Sequence, residues 1–516
     1  MTTKIKLLLH TVRHLTARQL GYQVWYRVHK PRLAEVSSPI EKVESTLKPP
    51  IPKYTTWEGD DFCFINLKAP YKGWSNTENG MLWAYNQNYM DWLGQEGMTK
   101  EEGEKWIDLF IKEISSNEVG LDPYPIALRS INWIIFFCSH PECGTKKRLD
   151  SLYSQVRLLE KKLEFHLMGN HLLEDYYALF IAAVFFKEEW MFKKYSRALK
   201  GQLEEQILAD GAHYEQSPMY HCIMLDRLLD CYNISTSNPV FEKQDEINAF
   251  LLEKAQKMLG HLKSIIWEDG SIPLLNDAAY EIAPTAGQLF DYADRLGIKY
   301  AAIPMKDCGY RKLCNKRMEA IVDVGNITAS YQPGHSHADT FNFELRVDGK
   351  PLIVDTGIST YNKTSRRLYE RSTAAHNTVT INGRNSSEVW SGFKIGKRAS
   401  TSLIEDSARE IVAIHSGFGK GYLHKRRFII KESSFTIEDQ IEKGQGLFIL
   451  HLSQYLDIIK VKSDTVIIGN TAIRTLGGDK IIISKANTSV KYNSFNETDV
   501  LSIPFTKTLK VTISID

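Results

Sequence analysis

The chain has 516 residues, 43% hydrophobic and 24% charged, which is long enough for two or three packed domains and too ordinary for a disordered or fibrous protein. A formal charge of +2 gives no global field for nucleic acid or membrane, while leaving room for a local basic cleft facing an acidic substrate. Seven cysteines, dispersed from Cys63 to Cys314 with no Cys-x-x-Cys pair, argue against a disulfide framework and for a reducing compartment.

The run Met1 to Leu9 is basic and briefly apolar, and His10 and Arg13 interrupt it before a secretory core can form. No stretch approaches twenty uninterrupted apolar residues, so no transmembrane segment is expected. The sequence reads as cytoplasmic, with a periplasmic location left open. Residues Thr11 to Lys30 read as one basic amphipathic helix with Leu15, Leu20, Val24 and Trp25 as its apolar points. Acidic and proline-bearing residues follow at once, so a helix docked on the protein is expected over one on a membrane. Pro31 to Pro52 is proline-punctuated and reads as a linker or extended arm. A mixed aromatic stretch with Trp57, Phe62 and Phe64 precedes Trp74 to Trp92, and residues 1–70 form a first segment.

From about Asn86 to Leu296 helical periodicity dominates. Leu149, Leu152, Val156, Leu159 and Leu163 make a stripe at three- and four-residue spacing. Ala178 to Phe186 is apolar all round and reads as a buried helix. The pattern predicts an array of helical hairpins over residues 71–303, without deciding between toroid and bundle. Residues 304–516 change texture to short Val/Ile/Phe/Thr runs separated by turns such as Asn382-Gly383 and Gly477-Gly478. Many short strands without intervening helices predict an antiparallel sandwich.

Chemistry concentrates between Pro333 and Asn377. The strand Asp339–Val347 is expected to alternate, turn at Asp348-Gly349 and return through Pro351–Asp355, with a third strand over Asn377–Ile381. That pairing gathers His337, Asp355 and His376 at one end of three strands. Two histidines and an aspartate suit a zinc-like ion, and polar contacts capping a sheet fit the same spacing. In the helical half, Gly169-Asn170-His171-Leu172-Leu173-Glu174 marks a helix junction, with Asn170 as N-cap and Glu174 placed to orient His171. Ser217-Pro218 predicts a helix start that places Tyr220 in the first turn. Arg129 and Asn132 share a helical face, beside Trp133, and read as carboxylate holders or as structural ion-pair partners.

Four segments in order carry a resemblance: Gly169–Glu174, Gln216–His221, Gly334-His335-Ser336-His337-Ala338-Asp339, and Arg371–Thr378. Together the chain resembles the heparinase II/III family of polysaccharide lyases, which has alginate lyase relatives. The resemblance spans roughly residues 80 to 400 and implies an α+β architecture, an incomplete (α/α) toroid followed by an antiparallel β-sandwich, with the site between them. It implies β-elimination on a uronic-acid polysaccharide of heparan-sulfate, alginate or bacterial type. Asn170 or His171 would neutralise the substrate carboxylate; the family varies between Asn and His there, and both stand side by side here. Glu174 would back His171, and Tyr220 and His335 would transfer the protons, with Tyr214 as the alternative to Tyr220. Tyr220 would be acid or base, and only to act as base near neutrality does its phenol need a lowered pKa. Arg129, Asn132, Trp133, Tyr214 and Arg371 complete the expected substrate contacts. His337, Asp355 and His376 would hold a structural divalent metal such as zinc, with no organic cofactor. The partner is an acidic polysaccharide, and nucleic acid is not expected. Two other readings are a non-catalytic glycan-binding or biosynthetic accessory protein, and a glycoside hydrolase needing two facing carboxylates, for which Glu215 and Asp277 are candidates without a pairing.

Overall fold

The structure, a computed structural model, describes residues 3–454, 456 and 458–515. Met1, Thr2 and Asp516, the outer ends of the expected first and last segments, lie outside the described residues. The single helix expected over Thr11–Lys30 is two helices, α1 (Thr3–Val12) and α2 (Ala17–Val28). Thr16 breaks them: its side chain accepts from the Gln19 amide, and the Gln19 side chain caps Thr16 in return. The docked face of α2 carries Gln19, Tyr22 and Tyr26, whereas the expected anchors Leu20, Val24 and Trp25 point to solvent. The following arm runs extended over the helices. The amides of Val36 and Ser38 donate to Ser154 and Asp150, and those of Thr46 and Lys48 to Asn238 and Asn233.

A small sheet (Trp57–Glu58, Asp61–Phe64, Leu67–Pro70) then feeds an edge-to-face cluster of Trp57, Phe62, Trp92 and Trp106. Helices α3 (Met81–Tyr89), α4 (Lys100–Glu113), α5 (Pro123–Ser139), α6 (Lys146–Leu159), α7 (Gly169–Phe185), α8 (Glu189–Gln206), α9 (Pro218–Ser237), α10 (Gln244–Ile265) and α11 (Ala286–Leu296) form the incomplete toroid. Helix α7 is its spine: it packs on α5, α8 and α9, and every residue of it except His171 is buried. That is why its sequence is apolar all round. The α6 stripe of Leu149, Leu152, Val156 and Leu159 is fully enclosed, as its spacing predicts.

Strands begin at Tyr310. A four-stranded meander (Tyr310–Cys314, Met318–Asp323, Phe343–Val347, Lys350–Ile353) packs with an eight-stranded sheet and a second four-stranded sheet around one core. Phe343, Phe428, Phe435 and Phe448, from all three sheets, share that core. All strand pairs within the sandwich are antiparallel among the described residues. A short helix, α12 (Ser365–Glu370), lies in the loop toward the toroid.

Two local expectations are corrected. The strand expected over Asp339–Val347 starts only at Phe343, because Phe341 is left-handed (φ +68°) and Asn342 turns back to the Asp339 carbonyl. Val379–Ile381 pairs with Gly446–His451, in a different sheet from Lys350–Ile353, so three adjacent strands do not gather the histidines. Asn377 joins the sheets instead. Its amide nitrogen donates to the Phe343 and Val354 carbonyls at 2.9 Å, and its oxygen accepts from the His451 amide at 2.8 Å. Asn377→Ala strands three buried backbone groups and should lower the unfolding free energy by about 3 kcal/mol, measured by urea titration.

Candidate active site

The turn into α7 is a special one. Met168 and Gly169 both have positive φ (+60° and +61°), and a Cβ at Gly169 would lie 2.7 Å from Glu215 Oε1. The missing Cβ lets Glu215 approach, and it accepts from the Asn170 amide at 2.9 Å and from Asn170 Nδ2 at 2.9 and 3.1 Å. Asn170 therefore does not act as the N-cap. The same Nδ2 lies 3.3 Å from His335 Nε2, which comes from the sandwich half. At the start of α9 Ser217 caps the Tyr220 amide, as expected, and its hydroxyl donates to the Asp277 carbonyl at 2.6 Å. This sets the Tyr220 ring against the His335 ring, with centroids 3.8 Å apart. Groups more than a hundred positions apart thus meet in one cleft of about 510 Å³, lined by both halves and including Asn170, His171, Glu174, Tyr220 and His335.

Asp277, on the segment after α10, governs the protonation there. Its Oδ2 accepts from His335 Nδ1 at 2.9 Å and its Oδ1 accepts from His337 Nε2 at 2.7 Å. Arg367 of α12 clasps both oxygens, at 2.5 and 2.6 Å. Burial opposes the charge, yet Arg367 and the two histidines hold the carboxyl well below the usual range. An ionised Asp277 can only accept, so His335 carries its proton on Nδ1 and presents a bare Nε2 to Asn170 and the cleft. Tyr220 does not meet the condition for acting as base. Burial, reinforced by the charges of Asp277 and Glu215, pushes its phenol well above the ordinary value, and the Tyr361 hydroxyl contacts it at 3.2 Å. Tyr220 stays protonated across the neutral range.

His171 and Glu174 are not partners. His171 Nδ1 bonds Glu164 at 3.0 Å, and Glu164 outweighs the effect of burial to raise the imidazole pKa. Glu174 is fully buried with both oxygens lacking a hydrogen-bond partner, and burial pushes its carboxyl up to about 7.

Five expected substrate contacts are structural. Arg129 is wholly enclosed, giving its guanidinium to Gln155, the Asn88 carbonyl and the Gly120 carbonyl. Asn132 binds the Tyr89 carbonyl, and Trp133 sits in the core against Met90. Tyr214 is buried against Tyr331 behind Gly169. Arg371 holds the Ser336 carbonyl, steadying the loop between His335 and His337. A shared helical face does not reveal which face looks inward, which is why Arg129 and Asn132 misled. Asp277 was a candidate only for the hydrolase reading, and Arg367, Tyr361 and Glu164 were missed as site residues. No local pattern places these four at the cleft, and only the tertiary fold brings them in.

At the expected metal position, His337 Nδ1 and His376 Nε2 are both buried without a hydrogen-bond partner, as is Asp339 Oδ2. The rings stand 5.3 Å apart. Asp355 is turned to the other nitrogen of His376, at 2.7 Å, and also accepts from Asn342 and Gly357. The three expected ligands therefore do not converge in this arrangement. Among the described residues the one group of three with ligand atoms within 4.8 Å of one another is Asp210, His261 and Cys308. There Asp210 already accepts from the amides of Ala212, Lys306 and Cys308, which makes it a loop clamp.

Two family profiles match the chain, "Heparinase II/III N-terminus" over residues 145–292 and "Heparinase II/III-like, C-terminal" over residues 298–496. The chain belongs to the heparinase II/III family. A heparin-sulfate lyase of Bacteroides stercoris is 24% identical over 314 residues, covering 55% of this chain and 45% of that protein. One from Pedobacter heparinus is 26% identical over 249 residues, covering 42% and 36%. The match thus spans less than half the length of these relatives. Among solved structures, heparinase III superposes with a TM-score of 0.67 at 14% identity, covering 96% of this chain and 89% of that one. A heparan sulfate lyase from Pedobacter heparinus gives 0.58 at 17%, covering 96% and 87%. These likenesses establish that the toroid and sandwich are those of heparinase II/III proteins.

The Glu164–His171 contact can be checked without any substrate. In Glu164→Gln the cation loses its partner while burial remains, so the His171 pKa should fall below that of a free imidazole in an NMR titration.

Proposed function

We propose that the protein is a polysaccharide lyase that cleaves a uronic-acid polymer by β-elimination. The observation that carries this reading is the contact across the two halves of Tyr220, whose phenol keeps its proton, with His335, which is held through Nδ1 by Asp277. His335 Nε2 takes the C5 proton of the uronate, the C4–O4 bond breaks, and the Tyr220 hydroxyl gives its proton to the departing oxygen. The products are a 4,5-unsaturated uronate and a new chain end, with no redox step. The imidazolium formed faces Asp277 at 2.9 Å and Glu215 at 3.6 Å. Tyr361 stabilises the phenolate left on Tyr220, and the imidazolium of His335 returns its proton to that phenolate directly or through solvent, restoring both groups. Charge building on the uronate carboxylate is met by His171, which is biased toward its cation. Asn170, engaged by Glu215 and His335, positions the base. Glu174 lies behind the cleft wall, 3.9 Å from the Arg227 guanidinium, and backs the site without touching substrate.

The named activities of the relatives support a polyanionic substrate, and the cleft narrows it. Its lining cations are Lys53, His171 and Arg227 among the described residues. Lys53 is paired with Asp226 at 2.6 Å and Arg227 with Asp230 at 3.1 Å. A polymer with uronate but little sulfate fits this distribution. Turnover should be faster on unsulfated or lightly sulfated chains than on heparin, followed by the ultraviolet absorbance of the unsaturated product. Binding without any such absorbance on uronate polymers would leave a glycan-binding protein in place of a lyase.

The residues at His337 and His376 fit a structural divalent ion, because two buried imidazole nitrogens lack partners with Asp339 and Asp355 beside them. Such an ion would stiffen the loop that carries His335. Elemental analysis of purified protein should find about one zinc-like ion per chain, lost in His376→Ala together with thermal stability.

His335→Ala and Tyr220→Phe should each lower kcat by roughly a hundredfold to ten-thousandfold. The profile of kcat/KM should fall on its alkaline side. The alkaline limb reflects loss of the His171 proton above its raised pKa, so His171→Gln should flatten that limb alone.

A further inference from the structure

The N-terminal hairpin presents a face that neither half of the protein covers. In α1 the docked side is Leu7, His10 and Thr11, with His10 bonded to Glu388 and Thr11 to Trp390. The opposite side carries Ile5, Leu8 and Leu9, all exposed, with Lys4 and Lys6 on its flanks. In α2 the docked side grips the segment Leu163–Met168, and Leu20, Val24 and Val28 recur every four residues on the outer side, beside Trp25. These outer residues range from 39% exposed at Leu20 to 73% at Val28.

Charge on this hairpin is one-sided. From Met1 to Ala34 there is no Asp or Glu. Lys4, Lys6, Arg13, Arg18, Arg27, Lys30 and Arg32 are all exposed, and the hairpin's ion pairing among the described residues is His10 with Glu388 alone. No helix among the described residues is long and apolar enough to cross a membrane.

We infer that α1 and α2 form a docking surface for an anionic phospholipid bilayer, lying in the plane of its headgroups. Aliphatic side chains flanked by lysine and arginine match that interface, where the apolar centre enters the acyl boundary and the cations reach phosphates. A polyanionic sugar chain would satisfy the cations but offer nothing to Ile5, Leu8, Val24 and Val28. A second copy docked by the same face would bring seven unpaired cations against seven like charges. Both helices dock on the protein, as the sequence reading expects, but they dock through other residues and leave the apolar stripe facing out. Both helices are rooted on segments that reach the cleft, α2 on Leu167 and α1 on the strand pair that flanks Phe393, so attachment would fix how the cleft faces the bilayer.

The test uses the full chain in vesicle flotation, with phosphatidylcholine alone and with phosphatidylcholine mixed with phosphatidylglycerol. Flotation is expected only with the anionic vesicles, weakening as salt rises. Leu8→Asp with Val24→Asp should abolish it, and Lys4→Gln with Lys6→Gln and Arg27→Gln should weaken it about tenfold. The melting temperature should not change in either, because these side chains face solvent. If the aspartate variant does not fold, the charge variant and the salt series decide alone. Failure to float with either vesicle overturns the inference. So does undiminished flotation of the folded variants, or a dimer of the parent chain in sedimentation that the aspartate substitutions make monomeric.

Discussion

The Asp277 carboxylate is the interaction on which the site depends. It belongs to the helical half, and all four of its charged bonds reach into the sandwich: one to His335, one to His337 and two to Arg367. A carboxyl group buried alone would take up a proton and let go of its partners. The guanidinium fork of Arg367 prevents this, because it matches both oxygens in plane and never deprotonates in the working range. One anion therefore does two things. It joins the halves of the molecule, and it fixes which nitrogen of His335 carries the proton. Geometry and acid–base state cannot drift apart while that cluster is intact, so the cleft is organised before substrate arrives.

The backbone around the cluster carries matching strain. Met168, Gln216, Asn276 and Phe341 all have positive φ, between +57° and +68°, and each immediately precedes or follows a site segment. Asn276 illustrates the compensation. Its side chain donates to the Gln216 carbonyl and to Tyr310, while its oxygen accepts from the His337 amide. A residue in an uncommon conformation is thereby tied to both halves, beside the carboxylate that needs that conformation. Gly169 solves the related problem on the other side of His335 by leaving out a Cβ where Glu215 must sit.

Much of this was legible in the sequence for reasons that can be named. The change from three- and four-residue periodicity to short alternating runs separates toroid from sandwich, and Ser217-Pro218 announces the start of α9. His335 and Tyr220 could be found through ordered motifs, although nothing local shows that they touch. Other features were illegible for equally physical reasons. Toroid closure depends on how α5, α7 and α9 pack, which periodicity does not encode. Arg129 has the side chain of a carboxylate binder, and only its burial against three acceptors gives it a structural role. Asp277 lies in an irregular stretch with no pattern to mark it. The sequence left Tyr220 as acid or base, and it could not show that burial acts on the phenol more strongly than the neighbouring hydroxyl and guanidinium. The raised phenol pKa favours the donor role in the proposed reaction.

The floor of the cleft carries more carboxyls than cations. Asp91, Glu174 and Asp226 line it with Lys53 and Arg227, and Asp230 lies behind, bonded to Arg227, which would leave an excess of negative charge if all were ionised. Burial removes part of that excess. It raises the carboxyl of Asp91, lifts Glu174 to about 7 and, with help from Asp226, lifts Asp230 to about 6. Burial thus reduces the negative charge that the floor sets against its two bound cations. The favourable charge is then His171 at the rim of that floor, one residue from the amide that touches the base. Under the proposed elimination, such a cleft would select by placing a single carboxylate where charge develops in the transition state, not by total attraction to a polyanion.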